Sequence, residues 1–120
     1  MRDIKFRAWQ KDGTKMIDLQ KITPLILSHD QDGVFLPFHK DIYIMQYTGL
    51  KDKNGVEIYE NDLIKGDLYD SRLPTMGEVV FDEHFSFYAN KNEAGNTPLH
   101  RITNIKIIGN IYENPELVDK

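Results

Sequence analysis

Met45-Gln46-Tyr47-Thr48-Gly49-Leu50-Lys51-Asp52-Lys53-Asn54-Gly55-Val56-Glu57-Ile58-Tyr59-Glu60-Asn61-Asp62-Leu63-Ile64 decides the fold, because it reads as a strand end, a turn and a return. The entering strand, Ile42 to Tyr47, is apolar on both faces, which predicts a central position in a sheet. The turn, Leu50 to Gly55, carries an Asn54-Gly55 pair that accepts positive φ at little cost. Glu57 to Ile64 then fits a strand broken by a polar bend. Asp62 is expected to fix that bend by accepting backbone N–H bonds.

On the N-terminal side, Ile4-Lys5-Phe6-Arg7-Ala8-Trp9 alternates with the period of a half-buried strand, and Lys11-Asp12-Gly13-Thr14 supplies a turn into Lys15-Met16-Ile17. One face would carry Ile4, Phe6 and Ala8, the other Lys5, Arg7 and Trp9. Between Lys15 and Asp41 a short helix fits as well as a strand, since short apolar runs do not separate the two. Asp30-Gln31-Asp32-Gly33 has neither the alternating ligand positions nor the closing glutamate of a calcium loop, so it reads as a turn.

On the C-terminal side, Gly66 to Gly77 reads as a long polar loop. Gly77 to Phe81 and Phe85 to Tyr88 read as a hairpin turned at Asp82-Glu83-His84. Ala89 to Pro98 is a second polar excursion, and Leu99 to Ile111 resumes strand character. Asn114-Pro115 places a capping residue before a proline, so a single helical turn is expected to close the chain. Ile58-Tyr59-Glu60-Asn61 recurs as Ile111-Tyr112-Glu113-Asn114; a shared local solution, a strand end followed by a polar bend, explains the echo more simply than duplication. The fold expected is mostly β, either β or α+β with minor helix, in small barrel-like antiparallel sheets. Residues 1–48 form an N-terminal β portion and 49–120 a C-terminal portion of SH3-like barrel type, closely packed as one compact unit.

Four blocks in order carry a family resemblance: Met1 to Trp9, Met45 to Ile64, Glu78-Val79-Val80-Phe81-Asp82, and Ile108-Gly109-Asn110-Ile111-Tyr112-Glu113-Asn114-Pro115-Glu116-Leu117. With them the chain resembles the YopX family of phage and prophage proteins, end to end. The resemblance implies a small, mostly β protein acting as an accessory factor, and it brings no catalytic or binding residue to any position here.

Composition bounds the function. Hydrophobic residues make up 40% and charged residues 28% of 120, ordinary globular usage, and a chain of this size buries about two-thirds of its extended surface. The longest apolar runs fall far short of the roughly 20 residues of a membrane helix. Arg2, Asp3, Lys5 and Arg7 stand where a signal peptide would need an apolar run, so an unexported, cytoplasmic protein of the bacterial host cell is expected. No cysteine is present, which excludes disulfides, a thiolate nucleophile and cysteine-ligated zinc. A net charge of −4 argues against a general nucleic-acid binder, although a local basic patch stays open.

The search for chemistry returns three weak constellations. Asp82-Glu83-His84 sets two carboxylates beside an imidazole, a possible metal or acid/base cluster that a solvated turn explains more simply. Glu57, Glu60, Asp62, Asp67 and Asp70 offer paired carboxylates without the cleft that acid/base work needs. The basic and aromatic face of Lys5, Arg7, Trp9, Lys11 and Lys15 fits stacking on bases and pairing with phosphates, but a solvated strand face is the plainer reading. No phosphate loop or nucleophile elbow occurs. The expectation is therefore a non-catalytic binding or self-assembling β module, without metal or cofactor, forming a homo-oligomer or docking on a host or phage protein and not on a membrane. Nucleic-acid binding through the N-terminal face is the alternative, and enzymatic activity is the least favoured.

Overall fold

The computed structural model describes residues 4–10, 15–18 and 42–117. They form nine strands: β1 (Phe6–Gln10), β2 (Lys15–Asp18), β3 (Ile42–Lys51), β4 (Glu57–Tyr59), β5 (Asp62–Leu68), β6 (Pro74–Asp82), β7 (Phe87–Asn92), β8 (Gly95–Pro98) and β9 (Ile102–Asn110). Short 3₁₀ turns at Leu99–Arg101 and Pro115–Leu117 are the helical elements among them. The protein is mostly β, as the patterning predicts. The turn expected at Lys11 to Thr14 and the readings of residues 19–41 lie outside the described residues.

Two compact units divide the chain, Met1–Tyr47 and Thr48–Lys120. In the first, β1 pairs antiparallel with β2 on one side and with β3 on the other, with Ala8 opposite Ile17 and Ile44. Ala8 and Trp9 are both buried. Adjacent strand residues point to opposite faces, so β1 is covered on both sides there. The expected apolar face is corrected: Ile4 and Phe6 are exposed. Ile4 precedes the strand, and among the described residues the ladder partner of Phe6 is on β3.

The second unit holds a five-stranded antiparallel sheet in the order β8-β7-β6-β5-β9, curled as a half-barrel. Its core is Ile58, Ile64, Val79, Tyr88, Leu99 and Ile102. Burial of an aliphatic or aromatic side chain of this size contributes roughly 1.5–3 kcal/mol. The polar bend separates β4 from β5, and Asp62 Oδ2 accepts from Tyr59 N at 2.8 Å. The two echo motifs meet, for Ile111 N donates to Asn61 O at 3.1 Å.

Three loop expectations are corrected. Gly66 to Gly77 is mostly ladder, because β5 runs to Leu68 and β6 begins at Pro74, with Gly66 opposite Thr75. Ala89 to Pro98 is the β7–β8 hairpin, Asn92 opposite Gly95. Phe85 and Ser86 belong to the β6–β7 turn, which spans 83–86 between Asp82 and Phe87, with Ser86 at φ 52. In the first two cases polar strands escape a reading based on apolar alternation, because Asn92 and Thr75 bond each other across the sheet instead of packing. The closing turn at Pro115 occurs as expected, and Asn114 Oδ1 accepts from Asn110 N at 3.2 Å.

Candidate functional site

The acidic candidates resolve into turn anchors. Asp82 Oδ1 accepts from His84 N at 2.8 Å, and Oδ2 accepts from Asn96 Nδ2 at 2.7 Å. The Asn96 amide, followed by the backbone N–H groups and the charge of His84, holds the Asp82 carboxyl below the usual carboxylate range against the opposing effect of desolvation. The His84 ring lies edge-on to Phe85, at 5.4 Å between centroids. Asp62 is buried at its bend, and Asp67 Oδ2 accepts from Asn104 Nδ2 at 3.2 Å. Asp70 Oδ1 accepts from Ser71 N. Among the described residues no three His, Asp or Glu side chains are placed to hold a metal ion.

The N-terminal basic candidates are distributed differently. Lys5 Nζ sits 5.5 Å from the centroid of the Tyr47 ring. Arg7 is half-buried with Asp18 directly across the ladder, and Trp9 is buried. Lys15 is exposed, while Lys11 lies outside the described residues.

Sequence reading missed Asp52, which is 7% exposed. Its Oδ1 accepts from Asn54 N at 2.8 Å and Val56 N at 2.9 Å, closing the turn in which Gly55 takes φ 83. Its Oδ2 accepts from Ile107 N of β9 at 3.1 Å. Desolvation pushes this carboxyl up, but three backbone N–H groups and the nearby Lys106 ammonium outweigh it and leave the carboxyl below its ordinary range. Lys53 N also donates to Ile105 O at 2.7 Å. The turn is thereby fastened to the outer edge of β9.

That fastening builds a groove of about 570 Å³. Lys65 of β5 stands directly opposite Lys106 of β9, and the Asp52 turn brings in Lys53; all three line the groove with Asp67, Thr75 and Asn104. A β-bulge shapes it. Between the pairs Lys65–Lys106 and Asp67–Thr103, β5 has one residue, Gly66, and β9 has two, with Asn104 at φ 56. Bulges of this kind re-aim side chains. A Cβ on Gly66 would come within 2.6 Å of Ile102 Cγ2 and 2.8 Å of Thr103 O, so the close approach of β9 requires glycine. On the β6 wall, Thr75 Oγ1 accepts from Asn90 Nδ2 at 3.3 Å and Asn92 Nδ2 at 3.2 Å. A second cavity, of about 430 Å³, is lined by Leu63, Ile108 and Leu117 together with Glu78, Lys91 and Glu93.

Likeness to solved structures extends over the whole chain. A crystal structure of protein EF1440 from Enterococcus faecalis is similar at 26% identity and a TM-score of 0.59, covering 99% of this chain and 100% of that one. The X-ray structure of protein yopX from Bacillus subtilis shares the fold at 17% identity and a TM-score of 0.58, with the same coverage. No curated protein matches. The family model described as YopX protein matches residues 5–119. The chain therefore belongs to the YopX family.

Proposed function

We propose that the protein is a non-catalytic phage or prophage accessory module, acting in the bacterial cytoplasm by assembling with copies of itself or docking on a host or phage protein. The observation that carries this is the set of large apolar side chains left exposed in the second unit. Tyr69 is 66% and Leu73 61% exposed on the short β5–β6 loop, and Phe81 is 50% exposed near the end of β6. Side chains of this size at a surface favour association when a partner covers them. Strand addition is disfavoured at the edge strand β8, which is four residues long and bounded by Gly95 and Pro98, features that blunt a sheet edge, and at the opposite edge the Asp52 turn occupies Ile105 O and Ile107 N of β9. No helix among the described residues is long and apolar enough to cross a membrane.

Sedimentation velocity over a wide concentration range, on the full chain and on a Tyr69→Ser/Leu73→Ser variant, tests the reading. Assembly that the variant abolishes supports it. A monomer at every concentration, together with no protein retained from nuclease-treated infected lysate, overturns it. A catalytic activity lost in an Asp82→Ala/Glu83→Ala/His84→Ala variant would overturn the non-catalytic part.

Nucleic-acid binding is the second reading, and one observation favours it: three lysines of an acidic protein converge on one groove. Its expected location shifts accordingly, from the N-terminal face to the second unit.

A further inference from the structure

We propose that the groove between β5, β6 and β9 is an oxyanion site that takes a phosphate group, held by the ammonium groups of Lys53, Lys65 and Lys106. This rests on reading the protein as a binding module but not on self-assembly.

Like charges directly opposite each other on neighbouring strands destabilise a sheet, and Lys65 and Lys106 occupy such a pair. Lys53 adds a third positive charge to the same lining. Among the described residues none of the three makes an ion pair within hydrogen-bonding distance. The compensation present is partial: Asp52 acts on Lys106 through space, with its own oxygens committed to backbone N–H groups. Asp67, the carboxylate in the lining, accepts from Asn104. The lining keeps a net positive charge, in a concave place where field lines concentrate. A multiply charged anion removes the repulsion and satisfies several ammonium donors together.

The groove also carries a neutral polar group, the Thr75 hydroxyl. A hydroxyl has two acceptor positions and one proton. With the amides of Asn90 and Asn92 assigned so that Nδ2 faces Thr75, both acceptor positions on Thr75 Oγ1 are filled. The Thr75 side chain itself lines the groove. Asn90 is wholly buried behind it, with its Oδ1 left without a partner. Ammonium groups and a threonine hydroxyl lining one cavity offer a donor set for phosphate oxygens. Lysine serves there as a point charge, without the bidentate geometry by which arginine selects planar anions.

Phosphate reaches such a groove either free or within the backbone of a single-stranded nucleic acid, and two probes separate the sources. The full chain is titrated with a fluorescein-labelled oligothymidylate, followed by anisotropy, and with inorganic phosphate or pyrophosphate, followed by amide chemical shifts. Each is repeated for Lys65→Gln, Lys106→Gln, Lys65→Arg, Thr75→Val and Asp67→Asn. For the oligonucleotide, log affinity should fall with log salt by about 0.7 for each phosphate neutralised, and Lys65→Gln should reduce that slope by about one such step. Either lysine-to-glutamine change should weaken binding at least fivefold, Thr75→Val less, and Lys65→Arg little; Asp67→Asn should strengthen it. Oligonucleotide binding with this pattern supports a phosphodiester ligand, and phosphate or pyrophosphate binding alone with this pattern supports a free one. Binding of neither probe at low salt overturns the proposal. So does binding unchanged in the lysine variants but lost in Lys15→Gln. The variants are folded if their amide spectra superimpose outside the groove. Sedimentation of the same samples reads self-assembly separately, so either idea can fail while the other stands.

Discussion

Asp52 and Asp82 solve the same local problem with the same atoms, yet only one of them holds the fold together. Asp52 follows the last residue of β3 and Asp82 is the last of β6, and each uses Oδ1 to gather two backbone N–H groups of the turn that follows: Asn54 and Val56 for one, His84 and Phe85 for the other. The second oxygen separates them. Asp52 Oδ2 reaches the backbone N–H of Ile107 on the far strand β9, and the residue is buried. Asp82 Oδ2 takes the side-chain amide of Asn96, which is exposed. A backbone N–H fixed in a sheet has few substitutes for a lost acceptor, whereas an exposed amide turns to water. An Asp turn therefore becomes a tertiary anchor when its spare oxygen meets a donor that cannot leave.

The largest test of this contrast is Asp52→Ala. Three backbone N–H groups lose their acceptor, and the cost is expected to be about 3 kcal/mol, given that each orphaned, partly buried donor costs about 1–3 kcal/mol and some find water. Urea unfolding of the second unit measures it. Asp82→Ala should move the midpoint much less, and equal shifts would break the comparison.

The sequence showed one half of this contrast. Asn54-Gly55 marks the first turn and Asp82-Glu83-His84 the second, because turn chemistry is local. Asp62 was equally legible, since its Tyr59 partner lies three residues back. That Asp52 bonds Ile107 was not, as the partner is 55 positions away and nothing local distinguishes the two aspartates. The groove was hidden for the same reason. Lys65 and Lys106 meet only through a register that contains a bulge at Asn104, and neither register nor bulge shows in a pattern of apolar alternation. The polar strand segments around it look like loops in the sequence, because their cross-strand contacts are Asn and Thr hydrogen bonds. The N-terminal face drew attention because its basic residues lie close together in sequence, yet Trp9 is buried and Arg7 faces Asp18.

Gly66→Ala asks whether the β9 edge that Asp52 grips has any slack. The new Cβ would press on Thr103 O and Ile102 Cγ2, at 2.8 and 2.6 Å. Backbone cannot yield as a flexible side chain does, so a loss of about 1–3 kcal/mol is expected, again by urea unfolding. A neutral result would mean that β9 shifts freely, and that the Ile107 bond to Asp52 is adaptable.

Acid sharpens the contrast with less effect. The folded Asp52 carboxyl titrates below its ordinary value of 3.8. Its charge thus contributes stability that is fully present above that pH and is lost as pH falls through the folded value. The native chain should lose stability in that window while Asp52→Asn loses less, so the gap between them closes on acidification. Asp82 is lowered in the same direction, but its exposed position leaves the corresponding gap for Asp82→Asn smaller. A gap at position 52 that stays constant from neutral pH down to 3 would show that the charge, as distinct from the oxygen, does nothing.

The smallest effect has the opposite sign and bears on the groove. Asp52 lies close enough to Lys106 to attract it, and Lys106 is the lysine among the groups that act on the Asp52 carboxyl. Removing the charge at Lys65 should therefore stabilise the unliganded protein, by about 0.2–1 kcal/mol for a cross-strand like-charge pair. At Lys106 the same change relieves that repulsion but also gives up the attraction to Asp52, so the two contributions oppose and the net effect should be near zero. Thermal unfolding of Lys65→Gln and Lys106→Gln at low salt distinguishes the positions, and added salt should erase the gain at Lys65 by screening. A stabilising Lys65→Gln that no longer takes phosphate would mean that the native lysine costs the fold stability and serves the ligand. A destabilising Lys65→Gln would place an unrecognised partner on Lys65 and remove the electrostatic argument for the site.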